Sequence, residues 1–283
     1  MRARFTIELP HDQTLTMGDR TLIAGVVNVT PDSFSDGGKF IDVPTAIDRA
    51  IAMEAEGADI IEVGAESTRP GAVPVNVNEE LGRILPVIEG LVGRVKVPIS
   101  VDTYKGVVAV MAVSRGASII NDVGALTLDP FLPGMLAGTK AALVLMHMRG
   151  TPETMQNLPP SEDIFAEIKE GLAKSVALAE DAGISRNRII IDPGIGFGKT
   201  FDQNLQIINR LDYLTDLRLP IMVGTSRKGF IGHLTGRDKE DRIFGTAATV
   251  AACVLRGAHL VRVHDVKEMA DVVKVADAIA DAF

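Results

Sequence analysis

One cysteine, Cys253, is all the thiol chemistry available to this chain of 283 residues. An intrachain disulfide is therefore excluded, which suits a reducing compartment. Cys253 sits in the apolar run ATVAACVLRGA and reads as a small core residue. Basic tracts are also missing. With 29 lysines and arginines against 37 acidic residues the net charge is −8, so a nucleic-acid partner is not expected. No stretch approaches the roughly 18 apolar residues of a membrane helix. The start, MRARFTIELP, lacks the apolar segment of a secretory leader. Linkers, internal repeats and low-complexity tracts are absent as well. The expectation is one soluble, cytoplasmic domain over residues 1–283, with no membrane partner.

What is present is periodicity. Residues 4–20, RFTIELPHDQTLTMGDR, alternate apolar and polar side chains around turn formers. This predicts a short β-hairpin over residues 1–20, ahead of the main fold at 21–283. From Leu22 onward come eight short β-rich runs: LIAGVVNV, DIIEVG, VPISVD, SIINDV, AALVLMH, RIIIDPG, LPIMVG and HLVRVHD. Helical candidates separate them, the clearest at Glu162–Ala182, where Phe165, Ile168, Leu172, Val176 and Ala179 form one apolar stripe. Ser161 is placed to cap its start and Gly183 to follow its end. Strand followed by helix, eight times, predicts an α/β fold, a (β/α)8 TIM barrel; an open doubly wound sheet is the alternative. The barrel is preferred because nearly every run ends on a polar residue: Asn28, Glu62 and Glu66, Asp102, Asn121, His147, Asp192, Ser226 to Lys228, and Arg262 with His264. A closed barrel gathers all of these around one mouth.

One string invites a different reading. IIIDPGIGFGKT, residues 189–200, ends like a nucleotide-binding P-loop. That motif needs G-x-x-x-x-G-K-[ST], with backbone N–H groups turned toward phosphate. Counting back from Gly198-Lys199-Thr200, the first glycine falls on Pro193, which has no N–H. The dinucleotide pattern G-x-G-x-x-G fails too, because Lys199 stands at the third glycine. The loop is better read as part of the barrel mouth, with Asp192 as its chemical group.

At that mouth, Asp102, Asn121 and Asp192 place two carboxylates and an amide on three strand ends. Singly, each aspartate could be a helix cap or a turn stabiliser. Together they suit a flat ring with adjacent N–H and NH₂ donors, and Lys228 can donate to acceptors on the same ring. A second group is cationic: Arg69 in ESTRPGA, and Arg262 and His264 in VRVHD. A buried guanidinium is costly unless paired, and a phosphate or diphosphate would pair with it. Asn28, across the mouth, offers a carbonyl oxygen of the kind that Mg²⁺ prefers. The five histidines show no transition-metal spacing, and His259 reads as structural. The first mouth loop, NVTPDSFSDGGKF, with Phe34 near its centre, reads as a lid.

The strings GVVNVTPDSFSDGG, GADIIEVGAESTRPGA, VDTYK, NDV, IDPGIGFGKT, TSRKGF and VRVHDV, in this order, resemble the dihydropteroate synthase family of pterin-binding barrels over nearly the whole chain. The resemblance implies a transferase of folate biosynthesis. It would join (7,8-dihydropterin-6-yl)methyl diphosphate to 4-aminobenzoate with Mg²⁺ as cofactor, by an SN1-like route. It implies that Asp102, Asn121, Asp192 and Lys228 hold the pterin. Asn28, Arg69, Arg262 and His264 would bind the diphosphate, with Asn28 also at the metal. Thr68, Pro70, Phe197 and Ser226 would line the aminobenzoate pocket, and Asp102, Asp192, Lys228 and Arg262 would carry catalysis. A homodimer is implied as well. Two positions depart from the usual pattern: Ala65 replaces a second glycine, and Gly229 replaces a larger polar residue beside the aminobenzoate pocket. Sulfonamides mimic aminobenzoate, and the sequence does not decide sensitivity to them. A methyltetrahydrofolate:corrinoid methyltransferase would share the pterin carboxylates but lack S-T-R-P and the arginine pair. A non-catalytic binder and a Schiff-base aldolase using Lys228 are the remaining alternatives.

Overall fold

The computed structural model describes residues 2–30, 42–67, 73–155 and 157–282. Strands β1 (Phe5–Glu8) and β2 (Thr14–Met17) pair antiparallel, as the alternation near the N-terminus predicts. The eight β-rich runs all become strands: β3 (Leu22–Asn28), β4 (Ile60–Gly64), β5 (Ile99–Asp102), β6 (Ile119–Asp122), β7 (Ala142–Met146), β8 (Ile189–Asp192), β9 (Met222–Val223) and β10 (Leu260–Val263). Each pairs in parallel with its neighbour, in the order β8-β7-β6-β5-β4-β3-β10-β9. The two ends of that row meet in the parallel bridge Ile191–Ile221, with Ile191 N–H donating to Pro220 O at 3.0 Å. The sheet is a closed barrel, and the open alternative is excluded.

Alternation along each strand sorts the side chains. One parity (Ile23, Ile61, Val63, Val101, Ile120, Leu143, Ile191, Val261) joins the core between barrel and helices. The other parity points inward and changes character with height. Near the strand N-termini it is apolar, with Leu22, Ile60, Ile119, Ala142, Ile190, Met222 and Leu260, and the hairpin residues Ile7, Leu15 and Met17 pack onto these from below. The hairpin therefore plugs the bottom of the barrel. Near the strand C-termini the same parity is polar: Glu62, Asp102, Asn121, Asp192 and Arg262. His259 belongs to the bottom as well. Its Nδ1 accepts Ile221 N–H at 3.1 Å, its Nε2 lies 3.1 Å from Ala3 O, and burial pushes its pKa down to about 4. It is a neutral structural histidine. Cys253 is fully buried, and burial pushes its thiol up to about 12, as expected for a core residue.

The helices α1 (Val43–Glu56), α2 (Val77–Leu91), α3 (Gly106–Ser114), α4 (Leu132–Ala137), α5 (Ile164–Asp181) and α6 (Phe201–Asn209) follow β3 to β8 in turn. Two helices, α7 (Gly229–Thr235) and α8 (Ile243–Leu255), follow β9, and α9 (Val266–Ala280) follows β10. In α5 the apolar stripe faces the barrel, with Ile168, Leu172, Val176 and Ala179 buried. Its cap differs from the expectation. Asp163, not Ser161, accepts Phe165 N–H at 3.1 Å and Ala166 N–H at 3.0 Å, because it directly precedes the first buried residue, Ile164. The Ser161 carbonyl instead accepts Gln203 Nε2 at 2.9 Å.

Candidate active site

The polar upper layer brings the predicted ring-binding residues together. Asp102 ends β5 in register with Asn121 of β6, and Asp192 ends β8 opposite Met146 of β7. With Lys228 and Arg262 they line one pocket, whose apolar wall includes Val123, Met146, Ile195 and Phe197. Arg262 is its electrostatic hub. Its Nε donates to Glu62 Oε1, and its Nη2 donates to Asp102 Oδ2 at 3.0 Å. Glu62 is buried, and its other oxygen accepts Asn121 Nδ2 at 3.1 Å and Ser100 Oγ at 3.4 Å. This fixes the Asn121 amide. Its nitrogen is turned to Glu62, and its Oδ1 is buried without a hydrogen-bond partner among the described residues. An unsatisfied buried acceptor costs about 1–3 kcal/mol. Beside two carboxylates, it points to a ligand that supplies N–H groups.

Charge in the pocket is finely balanced. Burial pushes Asp102 up to about 7 against the pull of the Arg262 guanidinium. Burial also pushes Asp192 up to about 6, opposed by Gly194 N–H, which donates to it at 2.6 Å, and by Lys228, Arg262 and Lys199. Lys228 is lowered to about 8 by burial and by Arg262, and its ammonium lies 4.3 Å from the centroid of the Phe197 ring. A ring carrying N–H donors, or developing positive charge, would favour the ionised form of both aspartates.

The glycine-rich loop after β8 is shaped by close packing rather than by phosphate. Gly194 has φ +68°, and a Cβ there would fall 1.9 Å from His147 O. Gly196 has φ +86°, and a Cβ there would crowd Lys228 Cδ at 3.1 Å. Lys199 Nζ turns inward and donates to His147 O at 3.1 Å and to Phe197 O at 3.0 Å. A P-loop presents N–H groups to an anion. This loop presents carbonyl oxygens to its own ammonium, so the exclusion of the P-loop holds for a second reason.

At the end of β10, His264 meets Ser226. Ser226 Oγ accepts the His264 backbone N–H at 3.2 Å and lies 2.9 Å from Nδ1. Burial and the neighbouring Arg262 and Arg227 push His264 down to about 3, so the expected cationic partner is a neutral imidazole here. A serine hydrogen directed at Nδ1 would leave the ring proton on Nε2, where it could be donated to an anion. Arg227 stands between Ser226 and Lys228 with φ +57°, a costly conformation for a side chain. It is held there by a two-armed pair with Asp265 and by Thr246 Oγ1, which accepts its N–H at 3.0 Å. The pair couples the loop after β9 to the loop after β10.

Asn28 ends β3, and its Oδ1 lies 3.8 Å from the point where a side chain on Gly64 would begin. Asp102 Oδ2 lies at the same distance from that point, so two hard oxygens border one gap. Among the described residues no group of three histidines, cysteines or carboxylates could hold a metal. The Asn28 carbonyl is a hard oxygen of the kind Mg²⁺ accepts, so the residue is chemically compatible with the expected ion.

Thr68, Arg69 and Pro70, and the loop residues Asp32 to Asp36 with Phe34 that read as a lid, lie outside the described residues. Sequence reasoning gave no role to three residues that organise the site: Glu62, Lys199 and Arg227. For Glu62 the signal was its inward parity in DIIEVG.

Comparison with known proteins agrees with this geometry. The family described as pterin binding enzyme matches residues 24–264. A dihydropteroate synthase of Synechocystis is 45% identical, covering 97% of this chain and 96% of that relative. The structure of Xanthomonas albilineans dihydropteroate synthase with 4-aminobenzoic acid superposes with a TM-score of 0.91 at 42% identity, covering 99% of both chains. The same organism's dihydropteroate synthase in complex with 7,8-dihydropteroate gives a TM-score of 0.84 at 41% identity, covering 94% of this chain and 96% of that one. Parallel barrel, pterin-compatible pocket and full-length likeness converge: this chain belongs to the dihydropteroate synthase family of pterin-binding enzymes.

Proposed function

We propose that the chain joins (7,8-dihydropterin-6-yl)methyl diphosphate to 4-aminobenzoate, releasing pyrophosphate and giving 7,8-dihydropteroate. The observation that carries this reading is the orphan Asn121 Oδ1, buried in the same pocket as Asp102, Asp192 and Lys228. Three acceptors and one donor match the edge of a pterin, whose ring alternates N–H donors with carbonyl and imine acceptors.

The reaction follows from the charges. The bond between the pterin methylene and the diphosphate oxygen breaks, and its electron pair leaves with pyrophosphate. Arg262, the His264 Nε2–H and Arg69 are assigned to that growing negative charge. The methylene left behind is cationic and conjugated with the pterin, so the ionised Asp102 and Asp192 lower its energy. The amine of 4-aminobenzoate, beside Phe197 with Thr68, Pro70 and Ser226, then attacks that carbon, and the proton lost from nitrogen passes to water or pyrophosphate. A weak nucleophile suffices because the electrophile is fully formed, provided that water is kept out. When bound at Asn28 with the diphosphate, Mg²⁺ supplies further neutralisation of the leaving group.

Incubating the purified chain with both substrates and Mg²⁺ should release pyrophosphate and dihydropteroate in equal amounts, with release dependent on 4-aminobenzoate. Methyl transfer from methyltetrahydrofolate to a corrinoid, without pyrophosphate release, would support the alternative pterin-barrel chemistry instead.

The same reading includes a cytoplasmic, single-domain enzyme and a homodimer. Dimerisation is supported by a largely apolar groove between α6 and α8, lined by Leu205, Ile208, Ala252 and Leu255 together with Asn209 and Arg256, with Leu205 and Leu255 exposed and Phe244 protruding at the start of α8. Leu255→Glu is expected to shift the sedimenting species from dimer to monomer. A monomeric parent protein would remove this part of the proposal.

A further inference from the structure

Lys199 has no role in the chemistry above, yet its surroundings are unusual for a lysine. Its side chain is half-buried behind the loop 193–200, and its ammonium donates to the carbonyls of Phe197, two residues before it, and of His147, directly after β7. It does not line the pocket. Burying an ammonium is unfavourable, and a surface lysine would avoid it. Burial in fact pushes its pKa down to about 7, with Asp192 as the largest opposing influence.

The other ties of this loop hold different atoms. Arg149 Nη1 donates to Gly198 O at 3.0 Å, Gly196 N–H donates to Asn204 Oδ1 at 2.7 Å, and Asn204 Nδ2 donates to Thr200 O at 2.7 Å. Phe197 N–H donates within the loop to Gly194 O at 3.1 Å, whereas Lys199 takes the Phe197 carbonyl and ties it across to His147, beside the neighbouring strand. That peptide sets the position of the Phe197 ring, and the ring lies under the Lys228 ammonium. A chain of contacts thus runs from β7 through Lys199 and Phe197 to Lys228.

We infer that Lys199 is a positioning residue, whose ammonium clamps the Phe197 peptide to the end of β7 and so holds the aromatic wall of the arylamine subsite against Lys228. The inference rests on Phe197 lining that subsite, as proposed above. The clamp needs N–H donors at the end of a long side chain. Methionine matches the length and apolar stem but donates nothing, whereas glutamine is shorter and keeps two N–H donors.

The test is steady-state kinetics of Lys199→Met and Lys199→Gln, together with circular dichroism and thermal unfolding. Wild-type turnover of the pterin diphosphate with 4-aminobenzoate checks the underlying reading separately. Lys199→Met is expected to raise KM for 4-aminobenzoate about tenfold or more while KM for the pterin diphosphate changes less than about threefold. Lys199→Gln is expected to recover much of that loss. An unchanged arylamine KM in a folded Lys199→Met protein overturns the inference. So do equal rises in both KM values, which would mark a general structural role. If Lys199→Met does not fold, Lys199→Gln decides: a selective rise in arylamine KM supports the clamp, and a uniform loss refutes it.

Discussion

Arg262→Ala is expected to reduce kcat/KM by about 10³-fold, at the upper end of what one electrostatic donor contributes to a charged transition state. The residue has two duties that the substitution removes together. It faces the pocket where the diphosphate is assigned, and it also lies between Glu62 and Asp102 as their common partner. Without it, two carboxylates remain side by side near the barrel axis, and breaking a buried pair in this way costs about 3–5 kcal/mol. Arg262 retains some exposure, which puts the expected loss at the lower end of that range. The barrel itself should survive, because β10 is held by β3 and β9 through its backbone.

The pH dependence of that loss has a definite sign. Asp102 already has a folded-state pKa above its unfolded value, and removing Arg262 raises it further. A carboxyl whose folded pKa is raised binds more protons in the native state, so stability falls as pH climbs through the window from the unfolded to the folded pKa. The deficit of Arg262→Ala in thermal unfolding should therefore be small near pH 5 and grow toward pH 8. Arg262→Lys should restore much of the stability and little of the activity, because a single ammonium cannot span both carboxylates as the planar guanidinium does. Equal deficits at both pH values would contradict the charge argument.

Much of this site is legible in the sequence alone, for a geometric reason. In a parallel barrel the inward parity of each strand ends at the mouth, so a polar residue closing an apolar run reports its own position. Asp102, Asn121, Asp192 and Arg262 were readable in that way, and Lys228 followed from the loop after a strand. What was not readable depends on residues distant in the chain. The spacing of GIGFGKT ruled out a P-loop, but the destination of the Lys199 ammonium is set by a carbonyl 52 residues away. The neutral state of His264 comes from burial near Arg262 and Arg227. Glu62 looked like one polar strand end among several until its two oxygens were seen to orient both Arg262 and Asn121. The cap of α5 is misplaced in the sequence reading for a local reason: Ser161 reads as the cap, but Asp163, adjacent to the first buried residue Ile164, accepts the helix N–H groups.

Asp192→Asn should separate stability from function in opposite directions. The folded-state pKa of Asp192 is pushed up by burial to about 6, from an ordinary value of 3.8. At neutral pH the native state thus holds a charge that the unfolded chain carries more easily. A shift of this size corresponds to roughly 3 kcal/mol of destabilisation above pH 6, absent below about pH 4. Asparagine keeps the oxygen that accepts Gly194 N–H and removes the charge, so the variant should unfold several degrees higher than wild type at pH 8. That advantage should shrink as the pH falls toward 4. Activity moves the other way. The second oxygen becomes an NH₂ that faces the donors of the pterin edge, and the negative charge opposite the forming cation is lost, for an expected decrease in kcat/KM of about 10³-fold. Wild-type kcat/KM should also decline below about pH 6 as Asp192 takes up a proton, and the contribution of this residue to that acid limb should vanish in the variant. A destabilised Asp192→Asn protein at pH 8 would mean that the carboxylate holds the loop together; a stabilised and inactive one would mean that the charge is kept for the reaction, against the interest of the fold.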